Sequence, residues 1–265
     1  MDIGNQVVLI TGASRGIGAA CAEALRGRGA KLCLTARDEA SLLRQASAND
    51  FVLAGDITSS DFRARLVDGV LQRFGRIDIV VNNAGAGNYW PPSTAPLQEV
   101  RQTFELNFFA PLALTQLVLP YMRKQNSGCI VNMSSMGGEI VLPWIPLYCA
   151  SKFALSALSS ALRSELSGTG IHAMTVCPGY VETDFKSHAS GPPPPPALMG
   201  SSSSRFSITP QQCAADIVRG LERRARVVVT PRSGWLLILG QRLFPRLVEA
   251  RLTAFMKNLE SEAAA

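Results

Sequence analysis

Short apolar runs rich in β-branched residues alternate along the chain with longer stretches whose apolar positions recur at helical spacing. The short runs cover 7–10, 31–36, 51–54, 77–81, 129–133, 171–177 and 226–230. Helical patterns follow the first run through Leu25, begin again near Ser60, and span 97–109 and 112–124. Another runs from Tyr148 to about Leu166, with Leu155, Leu158, Leu162 and Leu166 on one face. Thr209 followed by Pro210 is a helix start, with threonine as the cap and proline at the first position. Seven strands separated by helices predict a parallel, doubly wound α/β sheet with helices on both faces. One such domain accounts for 1–265, followed at its end by a helical extension over about 232–262.

The polar residues of interest sit where the predicted strands end. The first strand runs into Thr11-Gly12-Ala13-Ser14-Arg15-Gly16-Ile17-Gly18 and then a helix. Glycines there allow close backbone approach to a phosphate, and the helix N-terminus offers free N–H groups. The second strand ends Thr35-Ala36-Arg37, with no acid before Asp38. An acid at this place would suit the ribose hydroxyl of NAD, whereas arginine suits the 2′-phosphate of NADP. Arg15 and Arg37 around one dianion therefore favour NADP over NAD. After the third strand, Asp56 could accept from an adenine amino group or cap the helix near Ser60. The fourth strand ends in Asn82-Asn83-Ala84-Gly85, where small residues permit close approach. Asn107 interrupts the apolar stretch 104–114 and needs hydrogen-bond partners, unless it caps a helix or is exposed.

Tyr148 and Lys152 are four apart on a predicted helix, so phenol and ammonium project from one face. A lysine beside a tyrosine favours the phenolate and is expected to lower the phenol's pKa from roughly 10. Ser135, at the end of the fifth strand, precedes the tyrosine, and Cys149 points off the Tyr/Lys face. Pro178-Gly179-Tyr180-Val181-Glu182-Thr183 follows the sixth strand on the same side of the sheet. The stretch 184–206, with five consecutive prolines from Pro192 to Pro196, reads as a substrate lid or as a plain insertion. Pocket walls are expected from 86–96, 136–147 and 184–206.

Composition narrows the functional classes. The chain has 265 residues, 47% of them hydrophobic, and a formal net charge of +6. No cluster of basic residues with interleaved aromatics accompanies that charge, so nucleic acid is not expected as a partner. The six cysteines lack metal-ligand spacing and the two histidines, His172 and His188, lie far apart; metal chemistry is not expected, and the cysteines read as buried thiols in a reducing compartment. No secretory leader and no apolar run of spanning length is found, which suggests a cytoplasmic protein. The tail 234–257 combines Trp235, Leu236, Leu239, Leu243, Phe244 and Leu247 with Arg242, Arg246 and Arg251. It could lie on a membrane surface, cover the substrate cleft or form a subunit contact. Small residues on the helix after Tyr148 could likewise pack on a second subunit or within the monomer.

Together, Thr11-Gly12-x-x-x-Gly16-x-Gly18, Asn82-Asn83-Ala84-Gly85, Ser135, Tyr148-x-x-x-Lys152 and Pro178-Gly179 resemble the short-chain dehydrogenase/reductase family over residues 6 to about 230. The resemblance implies a Rossmann-type domain that binds a nicotinamide dinucleotide and transfers a hydride to or from a carbonyl or alcohol carbon. It implies Tyr148 as general acid in reduction and base in oxidation, and Lys152 as the residue that lowers its pKa and holds the nicotinamide ribose. Ser135 would bond the substrate oxygen, and Asn107 would support a water leading from Lys152 to solvent. Gly12, Ser14, Arg15, Gly16, Ile17 and Gly18 would surround the pyrophosphate and adenosine end, with Asp56 and Ile57 flanking adenine. Asn83, Ala84 and Gly85 would line the cleft, and Pro178, Gly179, Val181 and Thr183 would hold the nicotinamide. Arg15 with Arg37 matches the NADP(H)-preferring branch. The long apolar tail resembles branches acting on lipids, steroids or other hydrophobic carbonyl compounds, some of them membrane-associated. Expected partners are a small carbonyl or alcohol substrate and further copies of the chain, as a homodimer or homotetramer. The alternative is a redox-sensing module that binds NADP without turnover.

Overall fold

The computed structural model describes residues 1–192 and 207–264, with side chains through residue 257. Its centre is a seven-stranded, all-parallel sheet. The strands are β1 (Val7–Thr11), β2 (Lys31–Thr35), β3 (Phe51–Val52), β4 (Ile79–Asn82), β5 (Gly128–Met133), β6 (Ile171–Pro178) and β9 (Val227–Thr230). They lie in the order β3-β2-β1-β4-β5-β6-β9. The order reverses between β1 and β4, and in open sheets of this kind that switch point opens a crevice at the strands' carboxyl ends. A second, two-stranded parallel ribbon pairs β7 (Tyr180–Val181) with β8 (Ser207–Ile208) beyond those ends.

Interior parallel strands are covered on both faces, which is why β1, β4 and β5 are buried at every position and read as continuous apolar runs. The pleat divides each strand between two cores. Val8 and Ile10 face α1 (Gly16–Arg26) and α7 (Pro210–Glu222), while Val7 and Leu9 face α3 (Ser60–Phe74), α5 (Ala110–Gln125) and α6 (Pro146–Glu165). On α6, Leu155, Leu162 and Leu166 are buried and Leu158 is half-buried, as the period required. All six cysteines are buried free thiols. Thr209 makes a reciprocal capping box with Gln212 at the start of α7.

Three expectations change. The third strand is only two residues long, and the helix α2 (Glu39–Gln45), unforeseen in the sequence, follows β2. The two helices expected over 97–124 are one continuous helical run: α4 (Leu97–Phe104), a π-turn (Glu105–Phe109) and α5. Pro111 does not break it. In the π-turn the Ala110 N–H bonds the Glu105 carbonyl one residue further back than in an α-helix, so the widened turn absorbs a proline that has no N–H to give. Most of the expected lid, 193–206, lies outside the described residues. The tail forms α8 (Gly234–Leu243) and α9 (Pro245–Ala264). No helix among the described residues is long and apolar enough to cross a membrane.

Candidate active site

One cleft of about 1530 Å³ runs along the carboxyl ends of the sheet. At its first end, β1 feeds the glycine-rich turn. Gly12 and Gly16 have φ of +66° and +54°, the left-handed region that glycine enters without penalty. A Cβ at Gly18 would strike the Gly12 carbonyl oxygen, so Gly18 does not line the cleft but lets α1 pack onto the turn. Arg15, at the N-cap of α1, makes no side-chain capping bond, so the first N–H groups of the helix are not capped by it. Asn83 braces the turn from β4: its Nδ2 donates to the carbonyls of Thr11 at 2.9 Å and Gly12 at 3.1 Å. The backbone N–H groups of Asn83 and Ala84 both donate to Thr11 Oγ1 at 3.0 Å. Asn83 therefore carries more structure than the close-approach role expected of it.

Arg37 is exposed at the end of β2 and makes no hydrogen bond or ion pair among the described residues. The next residue, Asp38, caps α2 by accepting from Ser41 N at 3.0 Å and from Ser41 Oγ at 2.5 Å, and these bonds hold its carboxyl below the usual range. Asp56 is not the cap of α3. Its Oδ1 accepts from Thr58 N at 2.9 Å, while Ser59 caps the helix through Phe62 N. A residue three positions closer to the helix has the geometry that a cap requires. Asp56 and Ile57 both line the cleft, as do Pro178, Gly179, Val181 and Thr183.

At the middle of the cleft, β5 and α6 bring Ser135, Tyr148 and Lys152 together. Tyr148 is 7% and Lys152 4% exposed. Lys152 Nζ donates to the Met133 carbonyl at 2.7 Å and stands 5.7 Å from the centre of the Tyr148 ring. Ser135 Oγ accepts from Gly137 N at 3.0 Å, capping a short turn over Met136–Gly138. The Phe185 ring meets Tyr148 edge-on, with centres 5.5 Å apart. The pKa expectation is reversed in the protein alone. Burial pushes the Tyr148 phenol up, and hydrogen bonding with Ser135 opposes this only in part. Burial also pulls the Lys152 ammonium down to about 8. The dry surroundings penalise both charged forms, and the lysine nitrogen is bonded to a carbonyl rather than to the phenol.

Asn107 is neither exposed nor a cap. It is fully buried in the π-turn: its Oδ1 accepts from Ala86 N at 2.9 Å, and its Nδ2 donates to Ala86 O at 2.9 Å and to Ser151 Oγ at 3.0 Å. It stands behind the cleft wall. A Cβ on Gly85 would lie 3.1 Å from Asn107 Oδ1 and 3.3 Å from Lys152 Nζ, so the bare glycine is what lets both groups converge there.

The far end of the cleft is apolar. Ile140, Leu142, Trp144 and Ile145 line it from the loop before α6, and Leu237, Val248, Leu252 and Phe255 line it from the tail. Trp144 and Phe255 meet edge-on with centres 6.0 Å apart, and Arg242 bonds Glu139 at 2.9 Å, tying the tail to that loop. The tail residues were absent from the expected pocket walls, although covering the substrate cleft was one of the uses expected of the tail. Their only signal was an apolar helix too short to span a bilayer, and that pattern fits several uses.

A family model described as short chain dehydrogenase matches residues 6–192. The chain is 33% identical over 258 residues to an Arabidopsis thaliana protein named 11-beta-hydroxysteroid dehydrogenase 1A, a match covering 92% of this chain and 73% of that one. Among solved structures, a short-chain dehydrogenase/reductase from Burkholderia phymatum in complex with NAD superimposes with a TM-score of 0.85 at 23% identity, covering 93% of this chain and 96% of that one. A short-chain dehydrogenase from Burkholderia cenocepacia in complex with NADP gives 0.80 at 26% identity, covering 95% and 99%.

Proposed function

Because the chain belongs to the short-chain dehydrogenase/reductase family of oxidoreductases, we propose that it reduces a hydrophobic carbonyl compound with NADPH. The observation that carries this reading is the convergence of Ser135, Tyr148 and Lys152 in the middle of a cleft with arginines at one end and an apolar wall at the other. The first end suits a dinucleotide: the glycine turn leaves room for a phosphate, and Gly85 is bare beside Lys152. Asp38 is already engaged with Ser41 through both carboxylate oxygens, whereas Arg37 makes no hydrogen bond or ion pair among the described residues and would meet a 2′-phosphate, with Arg15 lining the same cleft. This supports NADP(H) over NAD.

A bound nicotinamide would supply the hydride. As negative charge develops on the substrate oxygen, Tyr148 gives it a proton and Ser135 donates a hydrogen bond. Burial keeps the phenol protonated, which is the form an acid needs in reduction; to act as base in oxidation Tyr148 would first have to lose that proton. Lys152 would hold the nicotinamide ribose, and its charge would favour the phenolate once the proton has left. Asn107, locked to Ala86 behind Lys152, keeps that wall in place for a water leading from the lysine to solvent. Gly12, Ser14, Gly16 and Ile17 would hold the phosphates, Asp56 and Ile57 the adenine, and Pro178, Gly179, Val181 and Thr183 the nicotinamide; all of them line the cleft. The apolar wall of Trp144, Leu252 and Phe255 selects the substrate class.

Fluorescence titration with NADPH and NADH side by side, followed by turnover on ketones of graded hydrophobicity, tests the reading. Tighter NADPH binding and faster reduction of larger apolar ketones are expected. Equal or tighter NADH binding would overturn the cofactor assignment, and NADP binding with no turnover on any carbonyl would favour a redox-sensing module.

A second reading concerns surroundings. Leu236, Leu239, Leu243 and Phe244 of the tail are 74%, 53%, 60% and 61% exposed, beside Arg246 and Arg251. Such a face suits peripheral contact of a cytoplasmic enzyme with an anionic membrane, and loss of liposome co-sedimentation on removing the tail would support it. The exposed Phe153, Ala157 and Ala161 on α6 suit a homodimer or homotetramer contact.

A further inference from the structure

We infer that His188 is a cofactor-specificity residue that acts by holding Arg15 in place; the inference rests on the 2′-phosphate role proposed for Arg15. The two residues are 173 positions apart in sequence, and both line the cleft. Arg15 Nη1 lies 2.9 Å from His188 Nε2. A guanidinium can only donate, so Nε2 accepts, and the imidazole is neutral with its proton on Nδ1. The surroundings of Nδ1 agree. It lies 2.7 Å from the Asp184 carbonyl, which can only accept, and Ser187 Oγ braces the same carbonyl at 2.8 Å. The tautomer that Arg15 needs is the one that the local turn stabilises.

The backbone carrying the imidazole is itself held. Thr183 packs against the glycine turn, where a Cβ added to Gly16 would lie 3.1 Å from its methyl. Two residues past His188, Ser190 N donates to the Gly87 carbonyl at 3.1 Å and Ser190 O accepts from Tyr89 N at 2.8 Å. His188 is exposed too, but its ring is tied through Nδ1 to the Asp184 carbonyl and so serves as a post, whereas the long Arg15 side chain makes no hydrogen bond among the described residues other than the one to His188. The post takes one donor of the guanidinium fork and leaves the others for an anionic oxygen. Immobilising a free arginine on the phosphate would weaken binding, and His188 has already done much of that ordering. NADH lacks the 2′-phosphate, so its binding should not depend on the post.

The test compares wild type with His188→Leu, His188→Gln, Arg15→Ala and the Arg15→Ala/His188→Leu pair in the full chain, by titration with NADPH and with NADH. His188→Leu should raise the NADPH Kd by about 3- to 10-fold, with the NADH Kd held as the control for an intact cleft. His188→Gln places an amide oxygen near the position of Nε2 and should restore most of the preference. In the Arg15→Ala background, His188→Leu should have no further effect. An unchanged NADPH-to-NADH ratio in His188→Leu, or additive losses in the pair, would overturn the inference while leaving the NADPH reading in place. Equal binding of both cofactors by wild type would instead remove the reading on which the inference rests.

Discussion

Replacing Lys152 with methionine should stabilise the cofactor-free protein while abolishing its activity. Burial lowers the Lys152 ammonium from 10.5 to about 8. At about 1.4 kcal/mol per unit, holding that charge in the folded state below pH 8 costs roughly 3 kcal/mol relative to a neutral amine. Methionine removes the charge and keeps most of the volume. It also leaves the Met133 carbonyl without the 2.7 Å bond from Nζ, a loss of about 1–3 kcal/mol for a buried polar group. The net gain is roughly 0–2 kcal/mol. Its pH dependence carries the sign. Between about 8 and 10.5 the native protein binds fewer protons at this site than the unfolded chain, so wild-type stability rises with pH across that window. The advantage of methionine is therefore full below pH 8 and fades as pH rises towards 10.5. Urea unfolding at pH 7 and pH 10, followed by circular dichroism, reads both effects. A variant clearly less stable than wild type at pH 7, or a difference identical at the two pH values, would refute the reasoning. A group that destabilises the folded chain and is kept for chemistry is the pattern expected of an active site.

Tyr148→Phe keeps the ring against Phe185 and removes only the hydroxyl, so turnover should fall by about 10²-fold or more with NADPH binding retained; undiminished turnover would remove Tyr148 from its role. Arg37→Asp should weaken NADPH by roughly 10- to 100-fold, the range for a lost charge-assisted bond, and NADH far less; equal effects in a paired titration would reject the 2′-phosphate contact. Asn107→Ala removes both bonds to half-buried Ala86 and the buried bond to Ser151 Oγ, and urea unfolding should show a loss of about 1–3 kcal/mol, together with reduced turnover as the wall behind Lys152 loosens.

The cleft joins three requirements along one sheet edge. Under the proposed function the glycine-turn end needs bare backbone and positive charge, the middle needs a dry acid, and the far end needs apolar walls. The first comes from the turns after β1, β2 and β4, and the second from the turn after β5 together with helix α6. The third depends on α8 and α9, which return from the end of the chain to lie against the loop before α6.

Features set by local periodicity were legible in the sequence. The interior strands announce themselves as apolar runs because both faces are covered, and the order of strands and helices is enough for a parallel doubly wound sheet. The glycine turn and the four-residue spacing of Tyr148 and Lys152 are likewise local, since helix geometry alone puts the pair on one face. That Ser59 rather than Asp56 caps α3 is a local choice between neighbouring polar residues. The sequence could not say that Asn107 bonds Ala86 and Ser151 or that Arg15 reaches His188, because each depends on where distant segments come to rest. The direction of the Tyr148 pKa belongs with these. A neighbouring lysine argues for a lowered value, but burial is a sum over every element packed around the phenol, and only the folded chain determines that sum.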